Sequence, residues 1–186
     1  MKKQLLFSIL FVVVALNISV PAQDALKKGV YSLSGGISFL SSTNNSDWGK
    51  SESLDILISP TINYFLVDNL SAGVSLSLGY YEMTFKDNNR DYKNINRPIS
   101  LGAHLRYYFS NEKFIPFIEG GYNYGNSLSG NKDINLFTLA CGVNYFLTKS
   151  AALEPYLEYR KMSYIQSNQK VSGIAFGVRV SYFIVD

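Results

Sequence analysis

The sequence predicts an all-β chain, an eight-stranded antiparallel up-and-down transmembrane β-barrel preceded by a cleaved N-terminal signal peptide. Three observations carry that prediction. Leu70, Ala72, Val74, Leu76, Leu78 and Tyr80 fall at every second position, with Ser71, Gly73, Ser75, Ser77 and Gly79 between them. Strict alternation is the pattern of a strand with two unlike faces. Four Tyr-Phe pairs, at 64–65, 108–109, 145–146 and 182–183, recur at intervals of 44, 37 and 37 residues, a spacing that signals a repeated supersecondary unit. Charged residues make up 17% of the chain and aromatics 15%. The first is low and the second high for an exported soluble domain.

The elements follow in chain order. Lys2 and Lys3 form a positive start, Leu5 to Val14 is apolar apart from Ser8, and "VPA" at 20–22 offers small residues before Gln23. This pattern predicts an export signal over residues 1–22 rather than a membrane anchor, since its apolar run is short for a spanning helix. The barrel domain then occupies 23–186. Reading back from each Tyr-Phe pair gives two alternating segments per unit: roughly 29–41 and 52–65, 70–85 and 97–109, 114–125 and 135–147, 151–162 and 172–185. Short polar segments, "LVDN" (66–69), "SNEK" (110–113) and "LTKS" (147–150), join one unit to the next. Within each unit lies a longer stretch, "SSTNNSDWGKS", "KDNNRDYKNIN", "NSLSGNKDI" or "SYIQSNQKV", made of the residues typical of loops. The chain is therefore expected to have tight turns at one end and long loops at the other.

One parity of these strands is apolar almost throughout, and its charges, Glu52, Glu82, Arg97 and Lys161, all sit at long-loop ends. A soluble barrel with an apolar interior would show the same alternation. Three features favour lipid outside instead. The other face is built of small residues suited to a crowded eight-stranded interior. Its charges, Asp55, Arg106, Glu119, Glu154, Glu158, Arg160 and Arg179, carry both signs and can pair. Aromatics gather near strand ends, as in interfacial girdles. Loss of Lys2 and Lys3 with the leader leaves fifteen cations against fourteen anions, too small an excess to indicate nucleic acid. Cys141 is the only cysteine, so no internal disulfide forms, and it falls on the lipid-facing parity.

"ISPTINYFLVDNLSAGVSLSLGY" (58–80), "GVNYFLTKSAALEPYLEY" (142–159) and "GIAFGVRVSYFIVD" (173–186) resemble the small outer-membrane β-barrel domain proteins of Gram-negative bacteria, the OmpA/OmpX-type eight-stranded porin-like barrels, in a style like that of Bacteroidetes. The resemblance covers nearly the whole mature chain and is specific for architecture rather than activity. It implies an outer-membrane location, contact with outer-membrane lipids and lipopolysaccharide, and handling by the barrel assembly machinery. Such proteins often close on an aromatic residue. This chain ends Ile184-Val185-Asp186, which leaves Tyr182 and Phe183 to carry that signal.

For function, the interior decides. With the first strand facing the fifth and the third facing the seventh, Ser32, Ser34, Gly36 and Ser38 would oppose Phe117, Glu119 and Asn123. Likewise Ser71, Gly73, Ser75 and Ser77 would oppose Glu154, Tyr156, Glu158 and Arg160. Small against large packs a narrow lumen shut. Pairing through the 110–113 turn places His104, the only histidine, opposite Glu119 with Arg106 diagonal. With Ser163 paired near Ser172, partner numbers sum to about 335, and Arg179 lies opposite Tyr156 between Glu154 and Glu158. His104 could serve as a general base or as an interior hydrogen-bonding residue, and its lumen parity favours the second. No catalytic, cofactor-binding or metal residues are assigned, and no cofactor is expected. Lys86, Arg90, Lys93 and Arg97 could meet lipopolysaccharide phosphates or form a solvated loop. The expectation is a monomeric membrane scaffold or surface-interaction protein with a plugged lumen, long loops extracellular and both termini periplasmic. A small-solute pore is the alternative, and a lipid A-modifying enzyme a more distant one.

Overall fold

The computed structural model describes residues 24–46, 49–87, 90–109, 114–127, 132–165 and 170–185. The expected signal segment, 1–22, lies outside them. The strands are β1 (Tyr31–Ser46), β2 (Gly49–Val67), β3 (Leu70–Asp87), β4 (Arg90–Asn96), β5 (Pro98–Tyr108), β6 (Phe114–Ser127), β7 (Lys132–Phe146), β8 (Ala151–Tyr164) and β9 (Lys170–Ile184). All pairings are antiparallel, and they join sequence neighbours except for β3 with β5 and β1 with β9. The last runs from Tyr31↔Ile184 to Phe39↔Phe176 and closes the sheet. Closure satisfies the backbone polar groups along the walls, the condition for β-structure in lipid.

Nine segments make eight walls. Residues of β4 and β5 both pair with β3, and in both cases partner numbers sum to 177 (Tyr81↔Asn96, Leu78↔Ile99). The register is continuous, and the wall is interrupted only at Arg97-Pro98, where proline has no N–H to give the ladder. The turn between β2 and β3 is two residues long, and Asn69 there adopts φ 65°, a left-handed conformation that asparagine tolerates better than most residues.

All four of the expected loops are partly strand. Pairing enters the edges of two of them, as Asn126↔Asp133 and Ser163↔Lys170. In "SSTNNSDWGKS" and "KDNNRDYKNIN" it runs furthest, through Asn45↔Lys50 and to Asp87↔Arg90. Beyond the lipid a hairpin meets water on both faces, so it needs no alternation of apolar residues. Composition marked these residues as wet, which is a different property from unpaired. In this projecting ribbon Lys93 binds Glu82 at 2.8 Å, and the Tyr80 hydroxyl donates to the same carboxylate at 2.6 Å. Together the Lys93 ammonium and Tyr80 hydroxyl hold the Glu82 carboxyl below its usual range. Lys93 is therefore already partnered.

The faces are as the alternation predicts. On β3, Leu76 is 40% exposed and Ser75 8%; on the adjoining wall Leu101 is 64% exposed and Ser100 6%. Apolar side chains point out, and Cys141 is among the exposed ones. A row of rings marks the turn end: Tyr31 on Tyr64 at 4.9 Å, Tyr107 edge-on to Phe109 at 5.2 Å, Phe114 stacked on Tyr145 at 5.0 Å. On β6 the next outward rings are Tyr122 and Tyr124. Phe114 to Tyr124 is a climb of ten residues, which at the usual rise and tilt spans about 25 Å, the height of an apolar band.

The turn end is sealed from within. Phe65, Tyr108, Ile115, Phe117, Phe146 and Phe183 form a buried floor across the lumen. Residues 24–30 fold beneath it as a cap, with Ala25 and Leu26 1% exposed. Backbone bonds hold the cap: Gly29 N–H to Phe65 O at 3.0 Å, and Asn69 N–H to Leu26 O at 2.9 Å.

Candidate functional site

The lumen above this floor carries the buried chemistry. Arg106 on β5 and Glu119 on β6 are direct cross-strand partners, as are Glu154 on β8 and Arg179 on β9. The four side chains meet at the centre. Arg106 donates from Nε to Glu119 at 2.7 Å and from Nη1 to Glu154 at 2.8 Å. Arg179 places Nη1 and Nη2 on the two Glu119 oxygens at 3.0 and 3.1 Å, with Nη1 3.4 Å from Glu154. Two guanidiniums and two carboxylates give no net charge. Fork-shaped contact of this kind is the strongest geometry for such pairs. Rings complete the layer: Arg106 lies 4.6 Å from the Phe117 centroid and Arg179 4.9 Å from that of Tyr156. Ser181 donates to Glu154 and lies 2.8 Å from Ser34.

Two further layers lie toward the loops. His104 donates from Nε2 to Asn63 Oδ1 at 2.5 Å, and Asn63 donates to Ser32 at 3.1 Å; across from them Ser75 donates to Asn123 at 2.9 Å. Above, Arg160 binds Glu158, Ser38 and, at 3.1 Å, Asp55. Between the layers is a void of about 30 Å³, lined by Thr61, Ser75, His104, Asn123 and Thr138 among others. Thr61 Oγ1 has no protein partner there. A space of that size suits a water molecule or two, and the lining supplies the polar groups a buried water needs.

Several expected contacts are displaced by two residues. His104 lies opposite Gly121, and Arg106 takes the place opposite Glu119. Arg179 lies opposite Glu154, with Tyr156 opposite Gly177; partner numbers sum to 333 rather than the expected 335. Glu158 consequently belongs to Arg160, and Arg179 gains Glu119 instead. A two-residue slip preserves every face because the side-chain period is two, so parity could not reveal it. Packing fixes it: a Cβ on Gly177 would fall 2.4 Å from Tyr156 Cζ, so that only glycine fits beneath the ring. Small residues do meet large ones, but across two walls rather than four. Ser38 on β1 receives Arg160 from β8, and Ser75 on β3 meets Asn123 on β6. The Asp55–Arg160 pair, 105 residues apart in sequence, and the 24–30 cap had no sequence signal beyond inward parity and a stray Leu26.

A closed, lipid-faced eight-walled barrel with a charged interior defines an integral outer-membrane protein. The chain belongs to the outer membrane protein beta-barrel domain family, whose model matches residues 9–182. Among solved structures it is similar to the outer membrane protein OprG from Pseudomonas aeruginosa, at 16% identity, covering 86% of this chain and 98% of that one, with a TM-score of 0.62. Neisserial surface protein A (NspA) also matches, at 16% identity over 83% of this chain and 97% of that one, with a TM-score of 0.48. No protein of curated function matches.

Proposed function

We propose that the protein is a monomeric, non-enzymatic outer-membrane scaffold or surface-interaction protein whose lumen is closed to solutes. The observation that carries this reading is the Arg106–Glu119–Glu154–Arg179 quartet lying directly on the aromatic floor. The roughly 30 Å³ void above it is far from a continuous aqueous path. The polar hairpins β1–β2 and β3–β4, which run on beyond the barrel, supply a surface for a partner. Short turns at one end and long hairpins at the other support an orientation with loops extracellular and both termini periplasmic. His104 is bonded to Asn63 inside the wall and Glu119 is committed to two arginines, which supports interior packing over acid–base chemistry. Its partners are outer-membrane lipids, lipopolysaccharide and, during biogenesis, the barrel assembly machinery.

Purified protein in planar bilayers should show no steady openings. Reproducible single-channel steps would replace the scaffold with a small-solute pore. Unaltered lipid A acylation in a deletion strain is expected, and a change there would point to an enzyme.

A further inference from the structure

The outer wall carries two neighbouring hollows, with the outward rings of Tyr122 and Phe137 lining both. One, of about 410 Å³, is lined by Tyr122, Asn135, Phe137, Tyr159, Lys161 and Ser163. The other, of about 390 Å³, lies nearer mid-membrane over Ala72, Ala103 and Gly120. This lower hollow lies where these three small residues on β3, β5 and β6 surround the outward Leu105, which stands opposite both Ala72 and Gly120. A Cβ added at Gly120 would meet nothing within 4 Å. The groove is therefore graded. Its loop-end rim holds a cation and two hydrogen-bonding side chains (Lys161, Ser163 and Asn135), its middle is aromatic, and its foot is apolar.

The heights match a lipid. Lys161 is ten residues up β8 from Ala151, about 25 Å above the turn end, at the edge of the apolar band. Gly120 is six residues up β6 from Phe114, near mid-membrane. Lys170, exposed and opposite Ser163, adds a second cation beside the rim. The nearby carboxylate, Asp133, is engaged by the Tyr124 hydroxyl. A lysine at this level is placed for an anionic head group, and the hydrocarbon below it for an acyl chain.

We propose that the β6–β7–β8 wall binds one anionic membrane lipid, its phosphate at Lys161 and an acyl chain running past Phe137 into the hollow over Gly120. This deepens the lipid-partner reading above. Naming lipopolysaccharide as the physiological occupant would rest on the extracellular orientation of the loops, whereas the phosphate-plus-acyl chemistry does not.

The test uses full-length folded protein in phosphatidylcholine vesicles, with electron spin resonance of spin-labelled phosphatidic acid and spin-labelled phosphatidylcholine. Wild type should retain phosphatidic acid about five-fold over phosphatidylcholine, the factor one interfacial lysine supplies. Lys161→Gln should lower the ratio, and adding Lys170→Gln should bring it close to one. Gly120→Leu, which the open space at that position allows to fold, should also lower it by blocking the chain hollow. Lys93→Gln, in the projecting ribbon, should leave it unchanged. Absence of selectivity in wild type, or its undiminished survival in Lys161→Gln, would overturn the site. Survival in Gly120→Leu would reduce Lys161 to a surface charge with no site beneath it. Displacement by millimolar inorganic phosphate would identify free phosphate as the ligand and overturn the lipid assignment, and loss of selectivity on cross-linking to a second copy would make the groove an oligomer contact. None of these outcomes depends on whether the lumen conducts.

Discussion

Replacing Glu119 with glutamine is the sharpest perturbation of the lumen. Its carboxylate is the hub of the quartet, with one oxygen shared by both arginines and the other held by Arg179. Glutamine keeps the shape, so the packing loss is small and the change is electrostatic. Two guanidiniums then share Glu154 alone, in a layer where Arg106 is 1% and Glu154 0% exposed. At an effective dielectric of about 20, each lost charge pair near 4 Å removes about 4 kcal/mol of gross attraction. Desolvation already taken up by the carboxylate offsets much of that, leaving a net cost of about 3–5 kcal/mol, as for other buried pairs deprived of one partner. Adding Arg179→Met restores neutrality, with Arg106 on Glu154, and should recover about 1–3 kcal/mol. Urea unfolding of liposome-reconstituted protein reads both, as a shift of midpoint at constant slope. A Glu119→Gln protein within about 0.5 kcal/mol of wild type, with no recovery in the double variant, would mean the lumen solvates these charges, and the closed-barrel argument would fail.

Other expectations follow from the same geometry. Leu76→Arg, on the lipid face, should cost about 2–4 kcal/mol in the same titration; wild-type stability would invert the assignment of faces. Gly177→Ala should cost about 1–3 kcal/mol by overpacking Tyr156, while Gly35→Ala, with nothing within 4 Å of its Cβ, should be near neutral; equal effects would refute the register argument. An epitope inserted at 128–131 should bind antibody on intact cells and one at 110–113 should not, and the reverse pattern would turn the barrel over.

What was legible in the sequence was whatever depends on parity. Alternation alone separates Leu76 from Ser75 and puts all seven interior charges on the face of Ser75. The small residues, the pairable charges and the aromatic girdles then say which face is inward. Register was less legible because it depends on fits between residues far apart, such as the ring of Tyr156 against Gly177. The spacing between Tyr156 and Gly177 in the sequence contains no trace of that fit. The projecting hairpins were read as loops because Asn, Asp and Ser report exposure to water, and a ribbon wet on both faces has the same composition. The cap at Ala25 and Leu26 was missed for the opposite reason: two apolar residues beside charged ones form no periodic pattern, and their burial is supplied by a floor assembled from five other strands.

The placement of the quartet also bears on how charge enters a membrane. Arg106 and Glu119 sit opposite each other on one hairpin, β5–β6, and Glu154 and Arg179 on another, β8–β9. Arg160 and Glu158 are two residues apart on a single strand. Each hairpin therefore carries its own counter-ion before the barrel exists. A nascent β5–β6 or β8–β9 unit can leave water with its central charges already neutralised, instead of dragging a lone arginine toward hydrocarbon, where an unpaired ion costs several kcal/mol. The contacts between hairpins, Arg179 to Glu119 and Arg106 to Glu154, then join two units that are each neutral at the centre by themselves.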